Sequence, residues 1–240
     1  MVNKVDILAI GAHPDDVELS VGGSIAKHVK MGKKVAIVDL TEGELGSRGT
    51  VKERYKEAAD AAEILGVSYR TNVQLDDGFF ENDKESLLKL IKEIRKFQPE
   101  IVLANAPMDR HPDHGRGSEF ISRACFLAGL RKIITEDEGK EQPHWRPNVV
   151  YHYIQDRYLK PDFVIDVTRF VDQKFEAIKA YKSQFFYPGM KGPKTPISGK
   201  EFFDYLEARM IHCGRSIDKK YAEGFTVERT PGVNSFFDLI

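Results

Sequence analysis

Apolar residues along this chain follow two alternating rhythms. Residues 5–10 form a continuous apolar run of strand length, after which Val17, Val21, Ile25 and Val29 recur every fourth residue, as the buried stripe of a helix does. The rhythm then repeats. Residues 34–40 predict a second strand. Tyr55, Ala58, Ala59, Ala62 and Leu65 mark one face of a helix over 51–65, with Gly66 at the position of a helix stop. Residues 70–75 predict a strand, 85–97 a helix with Leu87, Leu88, Ile91 and Ile94 inward, 100–104 a strand and about 117–130 a helix. Such alternation implies right-handed crossovers and a mostly parallel sheet covered by helices on both faces.

Beyond residue 130 the pattern loosens. The charged stretch 135–147 reads as a surface insertion, 149–154 and 162–167 as two further strands, and 172–182 and 202–217 as helices. Between those helices, 183–199 is rich in proline and glycine and reads as a long loop. No internal repeat or low-complexity segment is visible. The economical expectation is one domain over 1–240, in which the part from about 148 to 240 adds extra strands, a long loop and a helix. Gly22 and Gly23 fall inside the first predicted helix, where glycine is costly, and close helix–sheet packing explains them better than ligand contact.

Composition narrows the possible functions. With 240 residues, 41% of them hydrophobic, the chain can build a substantial core. Its 36 basic and 37 acidic residues leave a formal net charge of −1, without the basic excess that nucleic-acid binding usually shows. No apolar run approaches the ~18–20 residues needed to cross a bilayer, and the short run at 5–10 does not end in a signal-cleavage pattern. These features point away from nucleic-acid and membrane partners. Cys125 and Cys213 stand far apart and read as small buried hydrophobes in a reducing cytoplasm.

The chemistry concentrates where strands end. In an open parallel sheet, ligands bind beyond the carboxyl ends of the strands. After the first strand stands Gly11-Ala12-His13-Pro14-Asp15-Asp16, with neither a dinucleotide-binding nor a phosphate-loop pattern. After the fourth stands Asp109-Arg110-His111-Pro112-Asp113-His114. Singly, each residue is explained by a turn, a cap or a solvated side chain. Together they bring three imidazoles and four carboxylates to one sheet edge, an arrangement that is costly without a cation. Zinc suits it, because imidazoles favour zinc over magnesium and a catalytic zinc keeps one position open for water. Of the adjacent Asp15 and Asp16, one can ligate while the other addresses that water, and His111 and His114 divide in the same way. Asp113 either raises the pKa of His111 or caps the helix expected near Gly117.

These residues resemble the PIG-L/LmbE-like zinc-dependent N-acetylglucosaminyl deacetylases. Supporting stretches are Asp39-Leu-Thr-Glu-Gly-Glu-Leu-Gly-Ser-Arg-Gly-Thr50, Ala180-Tyr-Lys-Ser-Gln-Phe185 and Ala222-Glu-Gly-Phe225. The likeness is closest to the branch that acts in bacillithiol biosynthesis. The resemblance implies a Rossmann-like three-layer α/β/α sandwich and one zinc ion per chain held by His13, Asp16 and His114. It also implies Asp15 as general base, and a cationic His111, oriented by Asp113, facing the oxyanion. The implied substrate is an N-acetylglucosamine conjugate, N-acetylglucosaminyl malate in that branch, and Arg48, Arg54 and Arg110 become candidates for its carboxylates. The implied assembly is a homo-oligomer, often hexameric. Rival readings are a deacetylase of another N-acetylglucosamine-type substrate, a metal-dependent phosphoesterase, which would call for a richer carboxylate set and two metals, and a catalytically silent sugar-binding module. His152, His212, Trp145, the run Phe185-Phe186-Tyr187 and the aromatic tail 226–240 are left without a settled role.

Overall fold

The computed structural model describes residues 3–239. Its centre is a seven-stranded sheet ordered β3-β2-β1-β4-β7-β9-β8. The strands are β1 Ile7–Gly11, β2 Val35–Thr41, β3 Tyr69–Leu75, β4 Ile101–Ala104, β7 Val149–Tyr153, β8 Phe163–Asp166 and β9 Ala222–Val227, while β5 Glu136–Asp137 and β6 Lys140–Glu141 form a separate hairpin. The pairings β3–β2, β2–β1, β1–β4 and β4–β7 are parallel, and β7–β9 and β9–β8 antiparallel. Helices α1 Asp16–Lys30, α2 Val51–Leu65, α5 Val171–Ala180 and α6 Glu201–Arg215 lie on one side, α3 Lys84–Phe97 and α4 Pro112–Ala128 on the other. The mostly parallel α/β sandwich expected from the hydrophobic rhythm is present.

Side-chain alternation divides the core. On β1, Leu8 and Ile10 pack towards α3 and α4, whereas Ile7 and Ala9 pack towards α1, α2 and α5. With both faces covered, every residue of β1 and β2 is buried, so these strands read as continuous apolar runs. The local stops act as expected: Gly66 ends α2 at φ +72°, and Thr50 starts it with a capping box shared with Glu53. Gly23 allows α1 to close on the sheet, because a Cβ there would meet the Val167 Cβ at 2.9 Å.

Two elements depart from expectation. Helix α4 begins at Pro112 rather than near 117, since proline is accommodated in a first turn and His111 caps it, its Nδ1 accepting from the Asp113 N–H at 3.3 Å. Asp113 therefore lies inside the first turn and caps no later helix. Strand β9 is an addition, pairing between β7 and β8. Its buried Glu223 interrupts the apolar pattern, yet its carboxylate accepts from the Gly23 and Ser24 N–H groups at 3.0 and 2.6 Å and pairs with the Lys174 Nζ at 2.6 Å. Cys125 and Cys213 are both free and buried.

Candidate metal centre and its cleft

The order of strand addition reverses between β1 and β4, which opens a crevice at their carboxyl ends. Both His/Asp clusters border it. A cleft of about 330 Å³ opens there, lined by the loops after β1, β2, β3, β4 and β7 and by Phe202, Leu206 and Arg209 of α6.

Asp15 adopts φ 108°, a conformation costly for any residue with a Cβ and often retained at functional sites. The turn separates the two neighbouring carboxylates. Asp16 faces the imidazoles, with Oδ1 3.0 Å from the His114 Nε2 and Oδ2 3.6 Å from the His13 Nδ1. Asp15 faces Arg54, whose Nη2 lies 3.3 Å from its Oδ2 and also bonds the Pro14 carbonyl. Ligand atoms of His13, His111 and His114 all lie within 4.8 Å of one another.

Carboxylates hold the outer nitrogens of two of these rings. The His13 Nε2 lies 3.1 Å from the Asp77 Oδ1 and 3.3 Å from the Asp113 Oδ2, and the His114 Nδ1 donates to the Asp109 Oδ2 at 2.5 Å. The inner nitrogens are thus turned towards Asp16, the arrangement by which outer carboxylates orient metal-binding histidines. The residues fit a divalent cation: imidazole and carboxylate donors, buried, converging and oriented from behind.

The electrostatic surroundings of these groups differ. Burial opposes charge on His13, but its bonds to Asp113, Asp16 and Asp77 outweigh it and raise its pKa well above the ordinary value. His114 follows the same logic, raised to about 9 by Asp16 and Asp109 against burial. The Asp16 carboxyl is held well below its usual range, the two rings overcoming burial. For Asp15, burial dominates over the nearby Arg54 and, with the charge of Asp16, raises its pKa to about 7. A carboxyl poised there can gain or lose a proton at neutral pH.

Several expectations need correction. Burial, and then the charges of His13 and His114, lower the pKa of His111. Asp113 meets His111 through its backbone N–H, while its carboxylate serves His13, the Gly78 N–H and Arg116. Because the His111 Nδ1 accepts a hydrogen bond, the neutral ring carries its proton on Nε2. Arg48 does not line the cleft. Its Nε, Nη1 and Nη2 donate to the carbonyls of Ser183, Pro193 and Lys191 at 2.8, 2.8 and 2.9 Å, fastening a loop that otherwise has no regular structure. Arg54 lines the cleft but is committed to Asp15, and Arg110 sits at the rim, paired with Asp156 at 2.8 Å.

His152 and His212 do not line the cleft. His152 bonds the Asn105 carbonyl, Ser118 and Glu228, and His212 packs its ring edge-on against Tyr158. Trp145 joins the core beneath α3 and α4, and Phe185 is buried against Phe202. Residues 228–239 carry the exposed Phe236 and Phe237, and Ile240 lies outside the described residues. Sequence spacing missed Asp77 and Arg209. Each reaches the cleft from an element far from either cluster, and no motif marks it.

A mostly parallel α/β sheet with clustered His and Asp side chains at its switch point is the frame of an α/β enzyme. The chain belongs to the PIG-L family, whose pattern, described as GlcNAc-PI de-N-acetylase, matches residues 8–125. It is 29% identical to the diacetylchitobiose deacetylase of Thermococcus kodakarensis, over 95% of this chain and 84% of that one. It is 31% identical to the 4-oxalmesaconate hydratase of Pseudomonas putida, over 74% and 73%. The solved structure of the conserved protein TT1542 from Thermus thermophilus superposes with a TM-score of 0.85 at 34% identity, covering 97% of this chain and 98% of that one.

Proposed function

We propose that this protein hydrolyses the acetamide of an N-acetylglucosamine conjugate, giving acetate and the free 2-amino sugar. The observation that carries the reading is the Asp15 carboxyl beside His13, Asp16 and His114, where the Asp16 carboxylate lies 3.6 Å from the His13 Nδ1 and 3.0 Å from the His114 Nε2. Those three residues would hold a divalent cation, zinc by the character of the donors. When bound, the cation supplies a Lewis acid and makes water a stronger acid, its pKa falling towards ~7.

The chain's own groups supply the rest. Asp15 accepts a proton from the water that attacks the acetamide carbon. The neutral His111 donates its Nε2–H to the oxygen that gains charge; one such donor is commonly worth about 3–4 kcal/mol. Asp15 then returns its proton to the departing nitrogen as the C–N bond breaks, a role its pKa suits better than that of His111. Arg54 keeps Asp15 aimed.

For the aglycone, the bacillithiol-type motifs favour malate, a carboxylate of which would meet Arg110 at the rim. The free, buried thiols agree with a reducing cytoplasm, where we place the enzyme as a homo-oligomer. Among the described residues, no helix is long and apolar enough to cross a membrane.

The test is acetate release from a panel of free N-acetylglucosamine, diacetylchitobiose and the malate and inositol glycosides. A parallel assay follows water addition to 4-oxalmesaconate, because of the hydratase relative. Release that is fastest from the malate glycoside and abolished by a chelator supports the reading. Hydration without acetate release, or release indifferent to chelation, overturns it.

A further inference from the structure

Asp16 is held by more than its imidazoles. Its Oδ1 accepts from the Gln155 Nε2 at 3.1 Å, and its Oδ2 from the Asn105 Nδ2 at 3.1 Å and the His13 N–H at 3.0 Å. The two amides are also bonded to each other, the Asn105 Nδ2 donating to the Gln155 Oε1 at 3.0 Å. Neither amide has a choice of orientation. The Ala106 N–H can only donate, and it reaches the Gln155 Oε1 at 3.1 Å, so the Gln155 amide nitrogen must face Asp16. With the Gln155 oxygen fixed, Asn105 stands between two acceptors and must present its NH₂ to both.

That orientation has a cost. The Asn105 Oδ1 is buried and has no hydrogen-bond partner among the described residues. An orphaned buried acceptor is unfavourable and is retained where another demand outweighs it. Reversing the amide would set its oxygen against the Asp16 carboxylate. The three residues follow three neighbouring strands, Asp16 after β1, Asn105 after β4 and Gln155 after β7. The grip is therefore built across the crevice rather than within one loop.

We infer that Asn105 and Gln155 are positioning residues, an interlocked pair of neutral amides that fixes the Asp16 carboxylate for a cation. Neutral donors suit the task because they orient the oxygens and leave the negative charge available, where an arginine would neutralise it. This inference rests on Asp16 being a cation ligand.

The experiment titrates the metal-free full-length protein with Co²⁺ alone, following the visible absorption bands and the dissociation constant. Wild type, Asn105→Ala, Gln155→Met, Asp16→Ala and each amide variant combined with Asp16→Ala are compared, with thermal melting of every metal-free form. The expected result is that Asn105→Ala and Gln155→Met weaken Co²⁺ binding about 10–100-fold and shift the bands. In the Asp16→Ala background the same changes should alter the constant less than about twofold, since the carboxylate they serve is gone. Equal losses in both backgrounds, or losses matched by collapse of the metal-free melting temperature, would show a merely structural role and overturn the inference. So would wild-type affinity and unshifted bands in the amide variants. Should Asp16→Ala itself bind Co²⁺ like wild type, the ligand assignment fails first and takes the inference with it.

Discussion

At the scale of single residues, the candidate chemistry falls on Asp15, whose backbone turn sends it towards Arg54 while Asp16 goes to the rings. Asp15→Asn keeps the shape and removes the proton acceptor. It should lower kcat by about 10²–10⁴-fold with metal content unchanged by elemental analysis. A second prediction concerns the far side of the sheet. Glu228 is held below its ordinary carboxyl pKa of 4.5 by the hydrogen bond from His152, aided by Ser122 and opposed by burial. An acid whose pKa is depressed on folding stabilises the fold above its unfolded value and loses that contribution as pH falls through the folded one. The melting-temperature gap between wild type and Glu228→Gln should thus be full at pH 7 and shrink as pH drops below 4.5. His13, Asp15, Asp16, His111 and His114 were legible in the sequence because their spacing is local. Asp77, Asn105 and Gln155 were not, since each is one ordinary polar residue whose meaning comes from strands distant in sequence.

At the scale of elements, hydrophobic rhythm located the strands and helices of the first hundred residues to within a few positions, because strands buried on both faces leave continuous apolar runs. It failed at α4, where Gly115 and Gly117 disguise the first turn, and at β9, where a buried glutamate and a glycine break the run. Arg48 shows a different limit. A guanidinium in a glycine-rich loop reads equally as a carboxylate receptor or a brace, and only the three carbonyls around it decide for the brace. The loop it fastens carries Gln184 and Ile197 to the cleft wall. Arg48→Ala should cost about 2–4 kcal/mol of stability and speed limited proteolysis between residues 186 and 195. It should raise KM more than it lowers kcat, and Arg48→Lys should not restore the loop, since an ammonium cannot present the same planar fork.

At the scale of the whole molecule, the sheet order places the β1 and β4 loops face to face, and that juxtaposition turns two unremarkable clusters into a site. A cation that binds only the folded form stabilises it by mass action. Removing it with a chelator should lower the melting temperature by about 5–10 °C, and restoring Zn²⁺ should recover it; a scanning-calorimetry trace insensitive to both would contradict the assignment. The parallel order also has a consequence in time. Asp16 and its contact Gln155 lie 139 residues apart along the chain, so a ribosome threading out the protein releases the carboxylate long before its escort. Until Gln155 emerges, well past the midpoint of synthesis, the nascent chain would carry its acids and rings unassembled, and the site would be completed only when the segment after β7 docks.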